Sequence, residues 1–250
     1  MTTPNPLNLK NVDCLEFLRS IPDESIDLII ADPPYFEIIG EKWDNQWTSE
    51  AAYLAWCDEW TIECERVLKQ GAPLYVWGTT KTDTFLRYKL GILNQTKLNY
   101  QQWIIWSYNW GGRTKKKFPR KHEDLLVYSK GQTMNWYPES VEIPRKMTKN
   151  IRTGEDYTNG TIPTCVWEQN NHTTSKEYCG WHPTQKPVVL LERIIRAHTN
   201  VGDIVLDPFS GSGSTAIATL RQGRVFHGSE ISVEYYEKSL QRIEELTYGK

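Results

Sequence analysis

The stretch that decides the fold reads Ile204-Val205-Leu206-Asp207-Pro208-Phe209-Ser210-Gly211-Ser212-Gly213-Ser214-Thr215. Its three apolar residues predict a buried strand, and the apolar residues after Thr215 predict a helix. Gly211 and Gly213 allow backbone angles and a close ligand approach that a Cβ would block. A glycine-rich turn between a strand and a helix favours ligand binding, because the helix N-terminus offers free N–H donors.

An acidic residue follows the next predicted strand, residues 224–229. Glu230 lies 23 positions after Asp207, close to the ~20-residue offset at which an acid binds a ribose diol in such folds. This spacing predicts an adenosine-containing cofactor. The three-glycine fingerprint of NAD sites is incomplete, since Ala216 stands at the third position. The Asp207 carboxylate would repel phosphate and attract a cationic amine, which favours S-adenosylmethionine.

A second candidate binding loop follows the predicted strand 26–31. Asp32, Pro33, Pro34 and Tyr35 come directly after this apolar run, at the strand end where open α/β sheets bind ligands. The prolines stiffen the loop and leave its carbonyls free to accept hydrogen bonds. Asp32 adds a carboxylate and Tyr35 a flat aromatic face. The set suits a planar group with an NH2, such as a nucleobase amine, but alone it fits a structural turn equally well.

Composition predicts a compact soluble protein with one main core. The chain has 250 residues, of which 39% are hydrophobic and 24% charged. It has no apolar run near the ~20 residues that span a bilayer and no signal pattern at its start, so we expect a cytoplasmic location. Its five cysteines include no C-x-x-C pair, which indicates reduced, mostly buried thiols.

A net charge of −2 gives no global basic field, so any nucleic-acid contact has to be local. One run, residues 113–121, carries six cations in nine residues and follows several aromatic residues. Cations interleaved with aromatic rings suit phosphates and stacked bases, although a solvated loop is the alternative. The predicted DNA contacts are Arg113, Lys115, Lys116, Lys117, Arg120 and Lys121.

Predicted strands and helices alternate along the chain, as in a βαβ architecture. The further strands are predicted at residues 7–9, 73–77, 102–106 and 125–128, and helices at 15–18, 49–69, 81–90 and after Pro187. Residues 37–48 are polar and predict a flap over the Asp32 loop. Residues 130–178 show neither helical nor strand periodicity for long, and we interpret them as a target-recognition insertion, with a decorative loop as the alternative.

The chain resembles the β class of DNA amino-methyltransferases, in which D-P-P-Y precedes the cofactor loop. Three motifs carry the resemblance in that order: residues 32–35, His182-Pro183-Thr184-Gln185-Lys186-Pro187, and residues 207–215. Asp13-Cys14-Leu15-Glu16 and residues 121–126 add support. Ser214 stands where the family usually has Thr and keeps the hydroxyl. The resemblance covers almost the whole chain.

The resemblance implies an α/β fold with a Rossmann-like, seven-stranded, mostly parallel sheet in a permuted order. Residues 1–129 would form the catalytic half of the domain, 130–178 the target-recognition insertion and 179–250 the cofactor half. The implied cofactor is S-adenosylmethionine, without a metal, and Asp13 would meet its adenine. Lys186 would close over its carboxylate end or be a surface contact. The implied cofactor residues are Asp13, Cys14, Asp32, Lys186, Asp207, Pro208, Phe209, Ser210, Gly211, Ser212, Gly213, Ser214 and Glu230.

The implied activity is methyl transfer to the N6 amine of adenine in double-stranded DNA, with the base flipped out and Asp32, Pro33, Pro34 and Tyr35 as catalytic residues. Cytosine N4 is the alternative target, because both amines present the same two hydrogens. An RNA or protein acceptor, a catalytically silent DNA-binding protein and a nicotinamide-dependent oxidoreductase are the other classes. A homodimer and a cognate restriction endonuclease stay open as partners of an enzyme of bacterial, phage or plasmid origin, with no membrane partner.

Overall fold

The computed structural model describes residues 5–109, 114–144, 149, 152–154, 156, 160–170 and 177–249 of the chain. Its strands are β1 (Leu7–Lys10), β2 (Leu28–Ala31), β3 (Pro73–Gly78), β4 (Leu98–Ser107), β5 (His122–Lys130), β6 (Val166–Glu168), β7 (Ile204–Asp207) and β8 (Val225–Ser229). Its α-helices are α1 (Cys14–Arg19), α2 (Glu50–Val67), α3 (Thr84–Gly91), α4 (Val188–His198), α5 (Ser214–Arg221) and α6 (Val233–Thr247). Short 3₁₀ helices cover Leu93–Gln95 and Pro138–Val141.

The eight strands found among the described residues form one sheet with the order β1-β8-β7-β2-β3-β5-β4-β6. Neighbours pair in parallel, except that β5 runs antiparallel to both β3 and β4. The late strands β7 and β8 lie between β1 and β2, as the resemblance implied for a permuted order. Because β2 and β7 are parallel neighbours, the loops that follow them meet at one edge of the sheet.

Two apolar cores cover the two faces of the sheet. Along β2, Ile29 and Ala31 pack with residues of α1, α2 and α3, whereas Leu28 and Ile30 pack with residues of α4, α5 and α6. A strand that is buried on both faces has a continuous run of apolar residues. This run made β2 predictable from the sequence. The two layers of helices hold β2, and with it the Asp32 loop, in a fixed position.

The sheet has one strand more than the seven predicted. β6 lies inside the segment 130–178, which was predicted to be irregular, and it pairs with residues 105–107 of β4. That prediction is wrong at β6, because three residues are too few to show an alternating pattern. The 3₁₀ helix in the same segment also packs against α4, where Ser140 Oγ donates to the Arg196 carbonyl at 2.7 Å.

Most element types agree with the predictions, while boundaries move by a few residues. The predicted cap of α2 is confirmed, since Ser49 Oγ accepts a hydrogen bond from Ala52 N at 3.2 Å. α3 begins at Thr84 instead of 81, and β4 begins at Leu98 instead of 102. The five cysteines are free, and three of them are buried. Across the described residues, no helix has the length and apolar character needed to cross a bilayer.

Candidate active site

A cleft of about 260 Å³ lies where β2 and β7 end. The Asp32 loop, the glycine-rich turn, the start of α1 and the acid after β8 surround it. All of the predicted catalytic and cofactor residues are described, and all of them except Gly213 line this cleft. The topology thus brings together two motifs that lie about 175 positions apart in the chain.

The glycine-rich turn needs its glycines for two different reasons. Gly213 precedes α5 with φ of 76°, a left-handed conformation that disfavours a Cβ. At Gly211, with φ of 49°, a Cβ would lie 2.7 Å from His182 Nε2. His182 therefore packs directly on the turn, and burial lowers the pKa of its imidazole to about 4. This ring is neutral near pH 7.

Glu230 ties the turn to the segment after β8. Its Oε2 accepts a hydrogen bond from Gly211 N at 2.8 Å, and its Oε1 accepts one from Ser232 N at 2.8 Å. Burial raises the pKa of this carboxyl above its usual range, although these backbone donors oppose the shift. Nearby, the buried Ser210 Oγ has no hydrogen-bond partner among the described residues. Glu230 and the turn thus bring to the cleft a carboxyl group and a hydroxyl without a hydrogen-bond partner among the described residues.

Asp207 ends β7 and is only 3% exposed. Its Oδ1 accepts a hydrogen bond from Phe209 N at 2.9 Å. Burial raises the pKa of Asp207 to about 7, since it outweighs the donors Thr215 and Phe209 N–H, and the charges of Asp32 and Glu230 add to it. A cationic ligand beside this carboxyl would favour its ionised form.

The predicted adenine contact lies at the start of α1. Asp13 caps that helix, since its Oδ1 accepts hydrogen bonds from Leu15 N at 2.8 Å and Glu16 N at 3.4 Å. The neighbouring Cys14 is buried, and burial, the largest cause, raises the pKa of its thiol well above the usual range. Cys14 is therefore an apolar wall of the cleft and not a reactive thiolate.

In the Asp32 loop, each carboxylate oxygen of Asp32 accepts a hydrogen bond. Tyr35 OH donates to Oδ1 at 2.5 Å, and Lys186 Nζ donates to Oδ2 at 2.6 Å. Tyr53 OH on α2 donates to the Pro34 carbonyl at 2.7 Å and fixes the back of the loop. Burial, together with the Asp32 charge, raises the pKa of Tyr35 well above its usual value, so the phenol remains a donor.

Lys186 is buried, so the surface-contact alternative is wrong. Its ammonium lies 2.6 Å from Asp32 and 3.3 Å from Glu123 Oε2 on β5. Burial alone would lower the pKa of Lys186, but these two carboxylates raise it, so the ammonium stays charged. Glu123 lies within the motif at residues 121–126, for which the sequence predicted no role in the site. The pairing links the motif at residues 182–187 to the Asp32 loop.

Asp44 belongs to the site, although the sequence did not predict it. It is fully buried, and its carboxylate accepts backbone hydrogen bonds from Tyr35 N at 2.6 Å, Ile38 N at 2.6 Å and Ile39 N at 2.7 Å. These bonds join the segment 37–48, predicted as a flap, to the Asp32 loop. Phe36, with φ of 58°, has a left-handed backbone between these bonds. Asp44 stabilises this unfavourable conformation.

Replacing Asp44 by Ala is expected to lower the free energy of unfolding by about 3 kcal/mol, because three partly buried N–H donors lose their charged acceptor. Urea unfolding with a two-state fit measures this loss. Asp44→Asn keeps one carbonyl oxygen and should lose less. Glu41→Ala, at an exposed position of the same segment, is the control and should lose under ~0.5 kcal/mol. Equal stability of the Ala variant and the control would contradict this role for Asp44.

Aromatic side chains form much of the remaining wall. The sequence showed their abundance but not their position. Trp43 stacks on His182 with ring centroids 6.4 Å apart, and Trp56 contacts Phe209 with centroids 5.6 Å apart. Trp47, Trp77 and Tyr235 also line the cleft. No group of three or more His, Cys, Asp or Glu in the described ranges is arranged to hold a metal ion.

The predicted DNA contacts lie in the loop that joins β4 to β5. Arg113 lies outside the described residues. Lys115, Lys116 and Lys117 are exposed, whereas Arg120 and Lys121 are half-buried. Phe118 among them is 97% exposed. Because Glu123, which pairs with Lys186 of the cleft, lies on β5 just after this loop, the basic run ends near the cleft.

The family model for N6 and N4 methyltransferases, described as DNA methylase, matches residues 26–241. The chain belongs to the N6/N4 DNA methylase family. It is 35% identical over 244 residues to DNA adenine methyltransferase YhdJ of Escherichia coli, covering 93% of this chain and 81% of that protein. It is 34% identical over 237 residues to type II methyltransferase M.HpaI of Haemophilus parainfluenzae, covering 93% and 72%.

Solved structures share the fold of this DNA methylase. PvuII DNA methyltransferase, described as cytosine-N4-specific, superposes with a TM-score of 0.73 at 18% identity and covers 97% of this chain and 93% of its own. The Thermus thermophilus protein TTHA0409, complexed with S-adenosyl-L-methionine, superposes with a TM-score of 0.64 at 22% identity, covering 97% and 95%. The predicted α/β fold and the assignment to this family are confirmed.

Proposed function

We propose that this DNA methylase transfers a methyl group from S-adenosylmethionine to the N6 amine of adenine in double-stranded DNA. The observation that carries the proposal is the position of Asp32. Its carboxylate lies in the same cleft as the glycine-rich turn and two further buried carboxyls, Asp207 and Glu230. An acceptor for an amine and a pocket for a cationic, adenosine-bearing cofactor thus share one cavity.

The residues present fit S-adenosylmethionine. Asp207 and Glu230 are buried carboxyls that a cation and a ribose diol would satisfy. Ser210 Oγ is a buried hydroxyl without a hydrogen-bond partner among the described residues. A hydrogen bond to a polar ligand atom would remove the energetic cost of burying it unpaired. Phe209 and Trp56 supply apolar walls. We propose that Asp207 holds the amine, Glu230 the ribose and the Asp13 side of the cleft the adenine.

When bound, S-adenosylmethionine supplies an electrophilic methyl group on a sulfonium. The lone pair of an adenine amine is delocalised into the ring, which makes it a weak nucleophile. The Asp32 carboxylate and the Pro33 carbonyl can accept its two N–H bonds and so localise that lone pair on nitrogen. Tyr35 offers a ring on which the base stacks. The residues supply orientation and charge, with no covalent intermediate, and the nitrogen loses its proton late.

The choice of adenine rests on the curated relatives. The Escherichia coli relative is named an adenine methyltransferase, whereas the cytosine-N4-specific neighbour is 18% identical and informs on the fold alone. Methylating a plasmid with labelled cofactor and digesting it to nucleosides tests the choice. N6-methyladenine is expected, and N4-methylcytosine would overturn the assignment. RNA and protein are tested as methyl acceptors in parallel reactions. Label in either of them instead of DNA would overturn the proposed substrate.

The basic loop gives a prediction on salt dependence. Replacing Lys116 by Ala should reduce the slope of log binding constant against log salt by about 0.9, because each phosphate contact releases about that many counterions. Replacing Lys115, Lys116 and Lys117 together should reduce it by about 2 to 3. Lys97→Ala is the control, since this exposed lysine precedes the other end of β4. Fluorescence anisotropy at several salt concentrations measures the slope, and an unchanged slope in the triple variant would remove these lysines from the interface.

The remaining sequence predictions also stay proposals. We propose that residues 130–178 read the target sequence, between a catalytic half (1–129) and a cofactor half (179–250). A homodimer and a cognate restriction endonuclease are the proposed protein partners, and the bacterial relatives support a bacterial cytoplasm as the place of action. Size-exclusion chromatography with light scattering tests the dimer.

A further inference from the structure

Lys186 occupies the place in the cleft that the target base needs under the proposed function. Its ammonium donates to Asp32 Oδ2 at 2.6 Å, where the amine of the base is proposed to donate. The same ammonium lies over the ring of Tyr35, 5.6 Å from its centroid, where the base is proposed to stack. Tyr35 OH donates to the other oxygen of Asp32. The base therefore cannot take its proposed position while Lys186 keeps its own.

Glu123 offers the displaced ammonium a second partner. Its Oε2 lies 3.3 Å from Lys186 Nζ, and its side chain is 16% exposed. Moving a buried ammonium away from one carboxylate costs several kcal/mol unless another charge replaces it. Because Glu123 is already within 4 Å, a small movement of the long lysine side chain transfers the ion pair. The cluster of one ammonium and two carboxylates keeps the same net charge throughout.

The surroundings of the cluster favour Glu123 as the new partner of the ammonium. Lys186 Nζ also donates to Tyr35 OH at 3.3 Å and to the Thr184 carbonyl at 3.4 Å, but neither acceptor carries the charge that would replace Asp32. The ring of Trp77 lies 5.2 Å from Lys186 Nζ on an apolar side. Asp13, Asp207 and Glu230, the other carboxyls that line the cleft, belong to the proposed cofactor pocket. Burial raises the pKa of Glu123, but the adjacent ammonium opposes this shift and favours the ionised form that accepts it. Glu123 is thus a carboxylate that the ammonium can reach when it leaves Asp32.

We propose that Lys186 holds the place of the target amine in the base-free enzyme and moves to Glu123 when the base enters. Both are positioning residues, since Lys186 acts through Asp32 and Glu123 acts through Lys186. This inference rests on the proposed function. It also provides selectivity: a flipped base without an exocyclic amine cannot replace the ammonium at Asp32, so it gains nothing from the exchange.

The test measures how Glu123→Gln changes binding to two DNA duplexes. Both contain the sequence that is methylated in the plasmid experiment. One carries adenine at the target position, and the other carries purine. Purine lacks the amine, so it cannot replace the ammonium at Asp32 and gains nothing from the exchange. Binding is measured with S-adenosylhomocysteine present. The variant should lose affinity for the adenine duplex by about tenfold, because the amide is a weaker partner for the ammonium. Affinity for the purine duplex should change less than about twofold. Glu244→Gln, an exposed carboxylate on α6, is the matched control.

A second variant separates the exchange from a structural effect. In a Lys186→Met background no ammonium has to move, so adding Glu123→Gln should leave the ratio of adenine to purine affinities unchanged. Binding of S-adenosylhomocysteine confirms that each variant is folded. Equal losses on both duplexes, an unaltered ratio in Glu123→Gln, or the same effect in the Lys186→Met background would overturn the exchange. Absence of methyl transfer by the wild-type protein would instead overturn the proposed function, and the exchange with it.

Discussion

Asp32→Ala is expected to lower the rate of methyl transfer by about 10³-fold, the size of effect seen when a preorganised electrostatic group is removed from an active site. Asp32 is proposed to accept an N–H bond of the target amine and to orient its lone pair. The substitution also leaves Lys186 without its 2.6 Å partner. Single-turnover transfer of tritium from labelled cofactor to cognate DNA measures the rate without interference from product release.

Cofactor binding by the Asp32→Ala variant separates this role from a structural one. The glycine-rich turn is held by Glu230 and not by Asp32, so calorimetry should give a dissociation constant within about threefold of the wild-type value. Asp32→Asn keeps a carbonyl acceptor and should retain more activity than the Ala variant. Asp58→Ala, at an exposed position on α2, serves as the control. Full activity in Asp32→Ala would refute the catalytic assignment.

The Asp32 loop and the glycine-rich turn were predictable because neighbouring residues in the sequence determine each of them. A strand buried on both faces is continuous in its apolar residues, as in β2, and positive φ at Gly211 and Gly213 calls for glycine. The acid at Glu230 follows its strand at a regular offset. Since parallel strands end at the same sheet edge, these local patterns were sufficient to place the cofactor side of the cleft.

The parts that were missed depend on contacts between distant positions. Lys186 and Asp32 are 154 residues apart, and no local pattern records that an ammonium will lie on that carboxylate. Asp44 stands in a polar segment, where an aspartate usually faces solvent, yet it is fully buried against the Asp32 loop. The strand β6 is recognisable only by its pairing with β4. Tertiary packing, and not propensity, decides each of these.

A pH-dependent loss of cofactor affinity is the second large effect that we expect. Burial raises the pKa of Asp207 to about 7, so in the free protein this carboxyl is protonated below that pH and ionised above it. A cationic cofactor favours the ionised form. Its affinity should therefore be constant above about pH 7.5 and should fall by about tenfold per unit as the pH drops below 7.

Calorimetry of S-adenosylmethionine binding between pH 5.5 and 8.5 tests this dependence. Asp207→Asn should lower affinity by about 100-fold at pH 8, as expected when a buried charge pair is broken, and should abolish the step near pH 7. The charged groups that face Asp207 are Asp32 and Glu230. Glu230→Gln should keep the step if Asp207 causes it, whereas His182, with a pKa lowered to about 4, is neutral throughout this range. A step that persists in Asp207→Asn and disappears in Glu230→Gln would transfer the assignment to Glu230.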